Sequence, residues 1–138
     1  VHGRNTHCEQ EKDGLDEITI AGETWVGELK QGEITEYAIR PEDFGMRSAP
    51  IEAIQVKDSI QSRNMLVSVL DNQPGPALDV VLLNAGAAIY VAGVVKSLEQ
   101  GLEKSRTAIE SGAAKAKLRN LIEFSNRDKT SRDKAFLI

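Results

Sequence analysis

Asp16 and Glu17 stand side by side at the end of the run Asp13-Gly14-Leu15-Asp16-Glu17. An apolar alternation, Ile18-Thr19-Ile20-Ala21, follows them directly. Gly14 permits a tight turn, and the alternation predicts a strand that fixes where the turn ends. Two neighbouring carboxylates at such a point suit a hard cation. Mg²⁺ retains several waters and takes only one or two protein carboxylates, with substrate phosphates completing its shell. Acidic residues beside a glycine also make an ordinary solvated turn. On these residues alone both readings stand.

The elements around the pair must position it. From Glu17 to Ile39 the pattern is β. Trp25-Val26-Gly27-Glu28-Leu29 runs into Lys30-Gln31-Gly32-Glu33, and residues Ile34 to Ile39 return, which predicts an antiparallel hairpin. Arg40-Pro41-Glu42-Asp43-Phe44-Gly45 ends it, with Pro41 opening a turn and Gly45 supplying the positive φ that closes it. After Gln55 the period becomes helical. The spacing predicts helices over residues 58–71, 77–94, 98–111 and 113–125. Asp58 with Gln61, and Ser97 with Gln100, form capping boxes. Asn72-Gln73-Pro74-Gly75-Pro76 separates the first two helices, and Gly112 caps the third.

Residues Ala77 to Ala92 are nearly all apolar, broken by Asp79, Asn84 and the hydroxyl of Tyr90. The stretch falls short of the roughly 20 residues a membrane span needs, so a helix buried on all sides is expected. Ala85-Gly86-Ala87-Ala88 lies inside it with no strand before it, which predicts close helix packing rather than a phosphate loop. Residues 126–138 are charged and end apolar, and are read as a tail.

The 138 residues are one domain's worth of chain. Apolar content of 41% suffices for a core, and a net charge of −4 disfavours a nucleic-acid binder. The only cysteine, Cys8, points to a reducing, cytoplasmic compartment. His2, His7, Cys8 and Glu9 carry ligating atoms but match no closed zinc spacing, so residues 4–13 are read as a solvated loop. Val1-His2-Gly3 reads like the end of a strand, so residues upstream of it are expected.

The Asp13–Glu17 run, Pro41-Glu42-Asp43-Phe44-Gly45, Leu82-Leu83-Asn84-Ala85-Gly86-Ala87-Ala88 and Ala108-Ile109-Glu110-Ser111-Gly112-Ala113-Ala114 occur in one order and spacing. Together they resemble the C-terminal part of the anthranilate phosphoribosyltransferases of tryptophan biosynthesis, over nearly all of residues 13–126. The resemblance implies an α/β fold: the C-terminal portion of the large α/β domain of the nucleoside phosphorylase/phosphoribosyltransferase fold, strands followed by about four helices. Residues 1–126 would be this partial domain. The implied reaction moves the phosphoribosyl group of phosphoribosyl pyrophosphate (PRPP) to anthranilate and releases pyrophosphate, with Mg²⁺ as cofactor. Asp16 and Glu17 match the family's metal-binding pair, and a homodimer is implied for the full-length protein.

Two departures qualify the match. Residues 4–12 are an insertion before the acidic run. The family's glycine-rich pyrophosphate loop, its lysine-bearing loop and its anthranilate-contacting arginine all correspond to positions upstream of Val1. No catalytic or substrate-binding residue is therefore assigned, Arg40 and Lys57 are read as surface charges, and the chain alone is expected to be inactive. A pyrimidine or thymidine nucleoside phosphorylase-like domain, which uses phosphate rather than a metal-bound diphosphate, is the alternative enzyme class. A non-catalytic interaction module is the alternative outside enzymology.

Overall fold

The computed structural model describes residues 2–3 and 15–135. Asp13, Gly14, the 4–12 insertion with His7, Cys8 and Glu9, and residues 136–138 lie outside the described residues. Three antiparallel strands pair in the order β1 (His2–Gly3), β2 (Thr24–Lys30) and β3 (Glu33–Ile39). Four helices follow: α1 (Ser59–Leu70), α2 (Pro76–Val91), α3 (Leu98–Glu110) and α4 (Ala113–Ala135).

The hairpin is the one expected. Trp25 pairs with Ala38 and Lys30 with Glu33 across a two-residue loop. Gln31 and Gly32 both take positive φ, 54° and 85°, the signature of a turn whose twist matches the strands it joins. Thr24, Val26 and Glu28 face inward while Trp25, Gly27 and Leu29 face out. Residues Pro41–Phe44 then form a 3₁₀ turn closed by Gly45 at φ 72°.

The expected strand over Ile18–Ala21 is not there. These residues form no ladder, yet all four are buried. Thr19 explains the difference, because its hydroxyl accepts from the Ala21 amide at 3.0 Å and its own amide donates to Thr24 Oγ1 at 3.1 Å. Local side-chain bonds of this kind take the backbone groups that a ladder would have used.

Both capping boxes form, with a shift in their second arm. Asp58 Oδ1 accepts from the Gln61 amide at 2.8 Å, and Ser97 Oγ from the Gln100 amide at 3.4 Å. The glutamine carboxamides reach back one residue further than a standard box, to the Lys57 and Lys96 amides. Asn72, at φ 56°, and Pro76 at the first turn of α2 make the expected break, while Gly93 at φ 71° stops α2 earlier than its apolar run suggests.

The core gathers Ile18, Ile20, Ile39 and Met46 against Val69, Leu78, Leu82, Leu83, Leu102 and Ile109. The small-residue patch packs helix on helix as expected, since α2 and α3 meet backbone to backbone at Gly86 and Gly101. Burial of α2 on all sides is corrected: Val81 is 38% and Val91 84% exposed. Among the described residues, α3, α1, the Ile18–Ala21 segment and the hairpin at Tyr90 cover part of the helix and leave the rest open. The stretch read as a tail carries helix, because α4 continues to Ala135. No helix among the described residues is long and apolar enough to cross a membrane.

Candidate functional site

Asp16 and Glu17 sit at the entrance to the buried, irregular segment, both exposed to solvent. They do not stand at a strand mouth, because the strand expected after them is absent. What holds them is a set of discrete anchors. Ile18 is gripped twice by Asn84 of α2: Oδ1 accepts from the Ile18 amide at 3.0 Å, and Nδ2 donates to the Ile18 carbonyl at 2.9 Å. Nδ2 also donates to Val80 O at 3.0 Å. The Ile20 carbonyl accepts from the Ala49 amide at 3.0 Å. With Thr19 and Thr24 bonded as above, the backbone after the acidic pair is fixed at each of four successive residues.

Among the described residues no cluster of three or more His, Cys, Asp or Glu side chains could enclose a metal. A closed zinc or calcium cage is therefore not formed by them. Two solvent-facing carboxylates on a pinned backbone do fit Mg²⁺, which is satisfied by one or two carboxylates together with waters and phosphate oxygens. Arg40, read from sequence as a surface charge, is exposed and also engaged: its Nε and Nη2 donate to Glu23 Oε2 at 3.3 and 2.8 Å. Asp71 and Lys115 pair α1 to α4.

A second polar cluster lies where the hairpin crosses α2. Glu28 accepts from the Tyr90 hydroxyl at 2.5 Å through Oε1 and from the Tyr37 hydroxyl at 3.1 Å through Oε2. Lys30 Nζ donates to the Tyr90 oxygen at 3.0 Å. The Tyr90 hydrogen bond holds the Glu28 carboxyl below its ordinary range, and burial, reinforced by Glu28, pushes the Tyr37 phenol up to about 12. Glu28 stays ionised and Tyr37 neutral across the physiological range, so this group fastens the sheet to the helix and does not shuttle protons. It floors a cleft of about 790 Å³ whose walls include Val26, Ile39, Val91 and Leu98.

Sequence reading missed the roles of Asn84 and of the Glu28 cluster for different reasons. Asn84 stood out as a polar break in an apolar helix, but its partner lies 66 residues away in the chain. Glu28, Tyr37 and Tyr90 sit on three elements, and no spacing joins them.

An irregular buried segment, a twisted hairpin and a run of helices beside an exposed acidic pair make up a part of an α/β domain. Residues 7–115 match the family described as "Glycosyl transferase family, a/b domain", and the chain belongs to that family. It is 63% identical over 127 residues to an anthranilate phosphoribosyltransferase from Nitrosospira multiformis, covering 92% of this chain and 35% of that protein. Identity to the Nitrosomonas eutropha enzyme of the same name is 59% over 115 residues, 83% of this chain and 34% of the relative. The crystal structure of anthranilate phosphoribosyltransferase from Thermus thermophilus superposes with a TM-score of 0.72 at 34% identity, over 81% of this chain and 33% of that one. The Saccharomyces cerevisiae enzyme in complex with 4-fluoroanthranilate gives a TM-score of 0.69 at 22% identity, over 80% and 32%, and supports the fold alone. The chain spans about a third of the length of the curated relatives it matches. The α/β fold and the family resemblance read from the sequence are both borne out.

Proposed function

We propose that this chain is a portion of the α/β domain of an anthranilate phosphoribosyltransferase. The observation that carries the proposal is the 63% identity sustained over 92% of the chain. In the full-length protein the anthranilate amine forms a C–N bond at the anomeric carbon of PRPP, the C–O bond to pyrophosphate breaks, and the amine gives up a proton. Charge accumulates on the departing pyrophosphate. Asp16 and Glu17 would hold Mg²⁺, which when bound neutralises that charge. The residues of this chain contribute position: two exposed carboxylates would present the metal to the diphosphate, while the segment behind them is tied into the core. No catalytic or substrate-contacting side chain is assigned among them.

Cys8 is the one cysteine in these 138 residues and leaves no disulfide within them, which fits a reducing, cytoplasmic setting, and the family resemblance supports a homodimer for the full-length protein. The test is an assay of the purified full-length protein with anthranilate, PRPP and Mg²⁺, following anthranilate consumption and pyrophosphate release in equal amounts. Phosphorolysis of a pyrimidine nucleoside in place of that reaction would favour the phosphorylase alternative. Neither activity in a folded full-length protein would favour an interaction module.

A further inference from the structure

We propose that Asn84 is a positioning residue for the Asp16–Glu17 pair, an inference that rests on reading that pair as the Mg²⁺ carboxylates. The amide of Ile18 belongs to the peptide unit that joins Glu17 to Ile18. Asn84 Oδ1, 3.0 Å from that amide, therefore orients the plane in which Glu17 ends. Its Nδ2 takes the Ile18 carbonyl at 2.9 Å, so one carboxamide brackets one residue from both sides. This is the two-bond exchange that a neighbouring strand would make with a paired residue, delivered by a side chain where no ladder exists.

The carboxamide is itself fixed. Its third bond, from Nδ2 to Val80 O at 3.0 Å, ties it to the turn of α2 below, and α2 is locked against α3 at Gly86. Leu82 and Leu83, just before it, are among the most deeply buried side chains. A rigid helix thus grips the last peptide before the backbone reaches the two exposed carboxylates. Groups that orient metal ligands from behind typically change metal affinity 10–100-fold when removed. A packing role alone would leave metal demand untouched.

The experiment uses the full-length protein and three variants. Asn84→Leu keeps the branched side-chain shape, with somewhat greater volume, and removes all three bonds. Asn84→Asp retains an acceptor for the Ile18 amide and loses both donors. Ile109→Ala, at a buried site outside the acidic segment, controls for lost stability alone. In metal-free protein, the peptide covering residues 15–21 is expected to exchange its amide hydrogens about tenfold faster in Asn84→Leu, and by a smaller factor in Asn84→Asp. The Mg²⁺ concentration for half-maximal turnover is expected to rise on the order of tenfold in Asn84→Leu, again less in Asn84→Asp, and to stay unchanged in Ile109→Ala. Should Asn84→Leu fail to fold, Asn84→Asp carries both readouts. A lowered melting temperature with unchanged exchange and unchanged Mg²⁺ demand would overturn the proposal and leave Asn84 a packing residue. Faster exchange with unchanged Mg²⁺ demand overturns it too. In that case, replacing Asp16 and Glu17 with Ala tells whether the metal reading itself has failed.

Discussion

Gly86 of α2 and Gly101 of α3 touch backbone to backbone: a Cβ on Gly101 would lie 2.2 Å from the Gly86 carbonyl oxygen. A Cβ on Gly86 would in turn lie 2.8 Å from the Leu102 amide nitrogen. No rotamer change relieves either clash, since main-chain atoms obstruct both positions, with Leu102 Cδ1 adding to the crowding at Gly86. The helices would have to move apart, opening the core around Leu82, Leu83 and Leu102. We predict that Gly101→Ala destabilises the full-length protein by about 3 kcal/mol, the upper end of the cost of overpacking. Urea unfolding measures it, and a wild-type midpoint would show that the helices are not this close.

Tyr37 provides a pH prediction. Its folded pKa, raised to about 12, lies above the roughly 10 of a free phenol, so its contribution to stability is complete below pH 10. That contribution is lost as pH climbs through the folded value. Glu28 behaves oppositely: its carboxyl is depressed by Tyr90, so its contribution is present above the ordinary carboxylate range and fades as pH falls through the lowered value. The tyrosinate difference spectrum between wild type and Tyr37→Phe should show one phenol titrating near pH 12. A phenol titrating near 10 would contradict both the burial of Tyr37 and its Glu28 contact.

Each shifted capping box should act as an ordinary N-cap. Asp58→Ala and Ser97→Ala are each expected to cost about 1 kcal/mol. Asp58→Ala should cost the more of the two, because its bond is shorter, 2.8 against 3.4 Å. Denaturant melts of the two variants test this.

Much of this architecture was legible because its signals are local. The Gln31-Gly32 turn, the Asp58 and Ser97 caps, the Pro41–Gly45 turn and the Gly112 stop each depend on residues within a few positions of one another. The errors arose where a distant partner decides. Ile18-Thr19-Ile20-Ala21 has strand periodicity, but Thr24 and Asn84 take its hydrogen bonds, and neither can be inferred from the four residues themselves. Residues Ala77 to Ala92 are nearly all apolar, but pattern does not say what will cover them, and Val81 and Val91 are exposed. The acidic pair was legible as a candidate from type and adjacency. Its anchoring was not.

A polypeptide limited to residues 1–138 is expected to show no phosphoribosyl transfer. Two exposed carboxylates supply one side of a diphosphate site, and transfer needs both substrates held in line with the breaking bond. Measurable consumption of anthranilate with PRPP by that polypeptide would contradict the assignment of no catalytic residue within it.

The central claim is that Asp16 and Glu17 are metal carboxylates and not an acidic turn. In the full-length protein, the double variant Asp16→Ala/Glu17→Ala should keep its melting temperature, because both side chains are solvent-exposed and outside the core. Turnover measured against Mg²⁺ concentration should fall on the order of 10²–10³-fold, the usual cost of removing a stabiliser of developing negative charge. Raising Mg²⁺ should recover part of the loss. A folded double variant with wild-type turnover and wild-type Mg²⁺ dependence would contradict the account.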